Sequence, residues 1–97
     1  MRIEGKVALV TGAGRGIGEV VAAELARRGA RAVALVDRSD HVLEVASGIN
    51  DALGREVAEA KIGDTTDERF RMQVYDDLVD RHGGAAVYAT AALDSHR

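Results

Sequence analysis

A parallel α/β sandwich, with helices on both faces of a four-stranded sheet, is the architecture this sequence predicts. Three observations lead there. Short apolar runs near Val7 to Val10, Ala32 to Val36, Val57 to Ile62 and Ala86 to Ala89 alternate with stretches of helical periodicity. Strands separated by helices run parallel, because each helix carries the chain back along the sheet. Glycines mark the junctions, at Gly12 to Gly18 before the first helix and at Gly29, Gly54 and Gly83-Gly84 after the helices. Finally, the 97 residues contain no linker, repeat or low-complexity block, so residues 1–97 are read as a single domain, small enough to bury only a modest core.

The elements follow in order. Lys6-Val7-Ala8-Leu9-Val10 is an apolar strand that runs into the glycines. After them Ile17, Val20, Val21 and Leu25 recur at helical spacing and draw one apolar stripe. Arg27 and Arg28 suit the negative end of that helix, and Gly29 can close it in a left-handed cap. The second strand, Ala32 to Val36, ends at Asp37. A second helix starts near Ser39-Asp40, carries Val42, Val45, Ala46, Ile49 and Leu53 on one face, and stops at Gly54. Beyond the third strand, Thr65-x-x-Glu68 reads as a capping box for a third helix that turns Phe70, Val74 and Leu78 inward. The fourth strand is weakly coded, by small residues. Right-handed crossovers and a strand order of 3-2-1-4 put the first two helices on one face and the third on the other. The order reverses between strands 1 and 4, and in open sheets of this kind ligands bind in the crevice at such a reversal.

Gly12 to Gly18 lie at the mouth of that crevice, which gives their chemistry. Gly12 permits the tight turn out of the strand. Gly16, lacking a Cβ, lets backbone come close to a diphosphate, and Gly18 lets the new helix pack against the strand. The unpaired N–H groups of the first helical turn and the helix dipole favour an anion. Asp37 falls about 20 residues further on, where a Rossmann-type fold places the carboxylate that grips a ribose 2′-hydroxyl. The bland alternatives are a tight strand-to-helix turn and a solvated strand-end carboxylate. The strand, the glycines, the helix and the acid occur together, and together they point to a dinucleotide. Asp37 argues for NAD over NADP, because a 2′-phosphate would meet like charge there. Arg15 and Arg38, beside it, leave some tolerance for the phosphate.

The spacing from Thr11 to Gly18, Thr-Gly-x-x-x-Gly-x-Gly, resembles that of the short-chain dehydrogenase/reductase family, among them its 3-oxoacyl-acyl-carrier-protein reductases. The likeness runs from about Lys6 onward and is strongest in the first forty residues. It implies a Rossmann-type fold, a nicotinamide cofactor, and cofactor-binding roles for Gly12, Gly14, Arg15, Gly16, Ile17, Gly18, Asp37 and Arg38. Asp64-Thr65 resemble the family's Asp-Val or Asp-Leu pair, which implies an adenine contact; helix capping is the alternative role. The family's Asn-Asn-Ala-Gly falls on Ala89-Thr90-Ala91-Ala92, so both amides and the glycine are missing, and residues 84–97 read as a divergent tail. The resemblance further implies a Ser-Tyr-Lys catalytic group. Here Tyr75 is followed four residues on by Val79 and Tyr88 by Ala92, and the lysines are Lys6 and Lys61. With no Tyr-x-x-x-Lys, the expectation is an incomplete, truncated half-fold that binds NAD(H) without turning over alone. Two functions compete: the cofactor-binding portion of an oxidoreductase acting on alcohols or carbonyls, and a non-catalytic nucleotide-binding or interaction module.

Composition narrows the partners. A net charge of −3 with scattered arginines offers no basic footprint for nucleic acid or an anionic membrane. There is no cysteine, no run approaches a membrane span, and the first residues lack the apolar core of a signal peptide, so a cytoplasmic location is the default. His41, His82 and His96 have no metal-ligand spacing, and Asp76, Asp77 and Asp80 read as a solvated helix face. Tyr75 reads as a half-buried packing residue. Strand 4 ends the sheet with an open edge, so self-association through that edge and the bare face beside it is expected.

Overall fold

The computed structural model describes residues 3–14 and 16–83, and residues 86–90 as strand backbone. Arg15, Gly84, Ala85 and residues 91–97 lie outside the described residues, and with them most of the divergent tail. The order is β1 (Val7–Thr11), α1 (Gly16–Arg27), β2 (Ala32–Asp37), α2 (His41–Leu53), β3 (Ala58–Ile62), α3 (Glu68–His82) and β4 (Ala86–Thr90). All pairings are parallel and the sheet runs β3-β2-β1-β4, the expected Rossmann-type half-fold. Register places Val7 beside Ala32 and Ala86, and Val33 beside Ala58.

Alternation along the strands divides the core into two layers. Ala8, Val10, Val33 and Leu35 pack with Ala22 and Ala26 of α1 and with Val42, Val45, Ala46 and Ile49 of α2. On the other face Val7, Ala32, Ala34 and Val36 meet Val74 and Leu78 of α3, with Leu9 and Phe70 partly buried at the margin. The helices are thus distributed as right-handed crossovers require.

Helix α1 departs from the stripe read in the sequence. It buries the row Gly18, Ala22 and Ala26, while Ile17 is 48% and Val20 68% exposed. Val21 and Leu25 pack only partly against the core. Small residues let the helix axis come close to the sheet, and the larger side chains one step round the helix are then turned outward. At its end Glu24 takes both Arg27 and Arg28. Helix α2 keeps its predicted face and closes at Gly54, whose left-handed conformation (φ 69°) lets its N–H reach the Asn50 carbonyl at 2.8 Å. The Asn50 side chain then ties helix to strand: it accepts from the N–H groups of Val57 and Ala58, both at 2.8 Å, and donates to the Ala58 carbonyl at 3.0 Å.

The capping box at the third helix is not formed. Asp67 is the cap, its Oδ1 accepting from the Arg69 N–H at 2.9 Å, whereas the Thr65 carbonyl accepts from the Arg71 guanidinium at 2.8 Å. Asp67 stands directly before the first helical residue and reaches the second helical amide, a satisfied cap without Thr65. Nor is α3's acidic face simply solvated. Asp77 binds Lys61 of β3 at 2.9 Å and Arg81, while Glu59 of β3 takes Arg81 and, at 3.0 Å, His82. Register explains the seam. Glu59 lies beside Ala34 and Lys61 beside Val36, so both are on the α3 face.

Candidate functional site

Parallel strands bring the carboxyl ends of β1, β2 and β3 to one edge, where the residues singled out in the sequence gather. Gly12 leaves β1 with φ 69°, and its N–H donates to the Val36 carbonyl at 2.8 Å, as does that of Ala13 at 3.3 Å. The next amide, Gly14, donates instead to Oδ2 of Asp37 at 2.7 Å. The other oxygen, Oδ1, accepts from the Ser39 N–H at 3.1 Å. Two backbone donors therefore hold the half-buried Asp37 carboxylate against the glycine turn.

Gly16 opens α1 with φ 60°, and a Cβ built there would meet nothing within 4 Å. The space beside it is open, and the helix amides that face it have no intrahelical acceptor. Gly18 is the opposite case: a Cβ would fall on the Gly12 carbonyl, so helix and turn are in direct backbone contact. Ile17 leaves a large apolar side chain exposed at the mouth.

Asp64 and Thr65 follow β3 on the same edge, which the Gly63 N–H joins to the Asp37 carbonyl at 2.9 Å. Asp64 is exposed, and its Oδ1 accepts from the Thr66 hydroxyl at 2.7 Å and the Thr66 N–H at 2.9 Å. Those bonds hold its carboxyl below the usual carboxylate range, and the charge of Arg38 adds to the effect. Arg38 is itself exposed. Thr65 is half-buried. Apart from Arg15, which is outside the described residues, the predicted site residues all lie along the same edge. Ser39, which the sequence marks only as the start of α2, is the second backbone donor to Asp37; an Asp-x-Ser stretch just after a strand is a turn signal that points to this role.

The donor set suits an adenosine diphosphate group better than a metal. It offers a carboxylate for a diol, a glycine-rich turn, and a helix N-terminus. Among the described residues no group of three or more His, Cys, Asp or Glu could hold a metal ion, and no helix is long and apolar enough to cross a membrane. On the opposite face Leu9, Met72 and Tyr75 line an open groove of about 500 Å³, rimmed by Glu68, Arg71 and Asp76. Tyr75 is 37% exposed there, part of the groove wall beside Leu9 and Met72.

The sequence pattern of the short chain dehydrogenase family matches residues 6–92. The chain belongs to that family. It is 39% identical over 84 residues to elsinochrome reductase 1 of Elsinoe fawcettii, a match covering 84% of this chain and 30% of that protein. L-sorbose reductase from Gluconobacter frateurii, solved with NADPH and L-sorbose, superposes with a TM-score of 0.78 at 28% identity, over 91% of this chain and 34% of its own. NAD+-bound xylitol dehydrogenase gives 0.73 at 32% identity, over 86% of this chain and 31% of its own. The chain spans about a third of the length of these short-chain dehydrogenase relatives. One neighbour holds NADPH and the other NAD+, so kinship does not choose between the two cofactors.

Proposed function

We propose that this chain is the portion of a short-chain dehydrogenase/reductase-type oxidoreductase that binds the adenosine half of NAD(H). One observation carries the reading: the Asp37 carboxylate stands at the strand end beside the glycine turn, oriented by the Gly14 and Ser39 amides. Asp37 accepts from the ribose hydroxyls, Asp64 from the adenine amino group, and the first turn of α1 favours the diphosphate by about 0.3–2 kcal/mol. Arg15, Ile17 and Thr65 complete the contacts. Bound nicotinamide would supply or accept a hydride for an alcohol or carbonyl substrate in the whole protein. NAD is favoured over NADP because Asp37 would face a 2′-phosphate with like charge.

Calorimetry with NAD, ADP-ribose and NADP tests the site. NAD and ADP-ribose should bind weakly, NADP more weakly still; Asp37→Ala should weaken NAD, and Gly16→Val should abolish binding by filling the open space beside the turn. Equal binding by the native chain and Gly16→Val would overturn the assignment of the loop. Nicotinamide absorbance should not change with any alcohol or carbonyl, since no Tyr-x-x-x-Lys occurs in these 97 residues. The second reading is a nucleotide-binding module without chemistry. A longer natural product containing Ser and Tyr-x-x-x-Lys would remove it. We further propose that the 97-residue chain associates with a second copy along β4, the outer strand of the sheet among the described residues, which sedimentation at micromolar concentration would detect; a strict monomer would refute it.

A further inference from the structure

We propose that the groove between α3 and Leu9 is a docking surface for a second copy of this chain, the two α3 helices lying antiparallel against each other. Glu68, Met72, Tyr75 and Val79 recur at intervals of four, three and four residues, so they form one stripe along the helix. It is not the stripe that Val74 and Leu78 bury against the sheet. Met72 is 54% exposed, and with Leu9 and Tyr75 it makes an apolar floor, which Glu68, Arg71 and Asp76 rim. An exposed apolar floor with a polar rim is the anatomy of a contact surface. The order of the rim charges says what fits it.

Two identical helices packed antiparallel about a twofold axis meet in reversed order, so one pair of facing positions fixes all the others. With the axis midway between Met72 and Tyr75, Met72 lies against Tyr75 of the partner subunit. One step outward, Arg71 lies against Asp76 of the partner subunit, and the symmetry makes each contact twice. Parallel helices would set like charge against like, so the charges select the antiparallel arrangement. Both groups can take part. Among the described residues Asp76 forms no ion pair, whereas Asp77 beside it is committed to Lys61 and Arg81. Arg71 donates through one nitrogen to the Thr65 carbonyl at 2.8 Å, and a guanidinium has further N–H donors for a carboxylate. The exposed stripe of α1 offers no such match, because Glu24 on its border is already taken by Arg27 and Arg28. One pair of 15-residue helices is a small contact, below the roughly 1,200 Å² of stable interfaces, so the association is weak and depends on concentration. It is separate from the contact along β4 and does not depend on the nucleotide reading.

The test reverses one charge at a time and then mixes the products. Sedimentation of the native 97-residue chain over a concentration series should show a reversible dimer. Arg71→Asp alone sets acid against acid, and Asp76→Arg alone sets base against base. Each should raise the dimer dissociation constant about tenfold or more. An equimolar mixture of the two variants should associate as tightly as the native chain, because in the mixed dimer every acid again faces a base. Recovery on mixing requires that both variants are folded and that the two positions meet between chains, which a merely local role of either residue would not produce. Variants that associate as well as the native chain, or a mixture no tighter than its components, overturn the inference and leave any native association to β4. A native chain that stays monomeric throughout the series overturns both contacts.

Discussion

The turn between β1 and α1 and the seam between β3 and α3 hold their elements by different means. At the turn backbone meets backbone: Gly18 lies on the Gly12 carbonyl, three successive amides reach the end of β2, and a methyl group added at Gly18 would fall on that carbonyl. At the seam Glu59, Lys61, Asp77, Arg81 and His82 join helix to strand through long side chains that keep partial access to water. Close packing of backbone tolerates almost no substitution, whereas a charged network offers alternative partners and yields in steps. The difference has a functional side, since the rigid region is the one that carries the candidate site.

The sharpest way to break the comparison is Gly18→Ala. The added carbon overlaps the Gly12 carbonyl, so α1 must move off the sheet, and a loss of about 3 kcal/mol or more is expected in chemical denaturation. Truncations in the two core layers come next. Leu35→Ala, beneath α1 and α2 at 0% exposure, should cost about 3–4 kcal/mol, and Leu78→Ala, in the thinner layer under α3, about 2–3 kcal/mol. Equal costs would mean that the α3 layer is packed as tightly as the other.

Much of the site edge was legible because its signals are local and depend on residue type. A turn with positive φ calls for Gly12, and a carboxylate about 20 residues later fits few other folds. The faces of α2 and α3 were legible for the same reason, since large apolar residues recur at helical spacing. Helix α1 was misread because alanine and glycine carry little hydrophobic weight, although Ala22 and Ala26 pack closest to the sheet. The Asp67 cap was missed because two capping residues compete within three positions. The seam was illegible in principle: Glu59 and Arg81 are far apart in sequence, and only the register of β3 reveals that they face each other.

Acid probes the contrast at the seam, where two paired carboxylates lie below their ordinary range. Burial raises the Glu59 carboxyl, but hydrogen bonds from Arg81 and His82 outweigh it and leave the group below its ordinary value. Asp77 is lowered too, by Arg81 first and then Lys61. Groups depressed in the folded state contribute stability above their unfolded pKa of about 4 and lose it as pH falls through the lower folded values. Amide exchange in α3 should therefore accelerate below about pH 4 relative to α1, and Arg81→Met should reduce that difference. Uniform acceleration along the chain would show that the seam is not a separate unit. The smallest effect is expected at Val20, 68% exposed: Val20→Gln should change stability by less than about 0.5 kcal/mol, and a larger loss would restore the discarded stripe.

The charges of β3 also give the sheet a direction across its width. A strand arriving beside β3 would have to fit against a neighbour whose glutamate and lysine are already committed to α3, an arrangement that discourages further pairing. At the opposite border Ala86–Thr90 contains no charged residue. The two borders of the four-stranded sheet thus differ in kind: the one at β3 carries charges that are tied to α3, and the one at β4 carries none in its sequence.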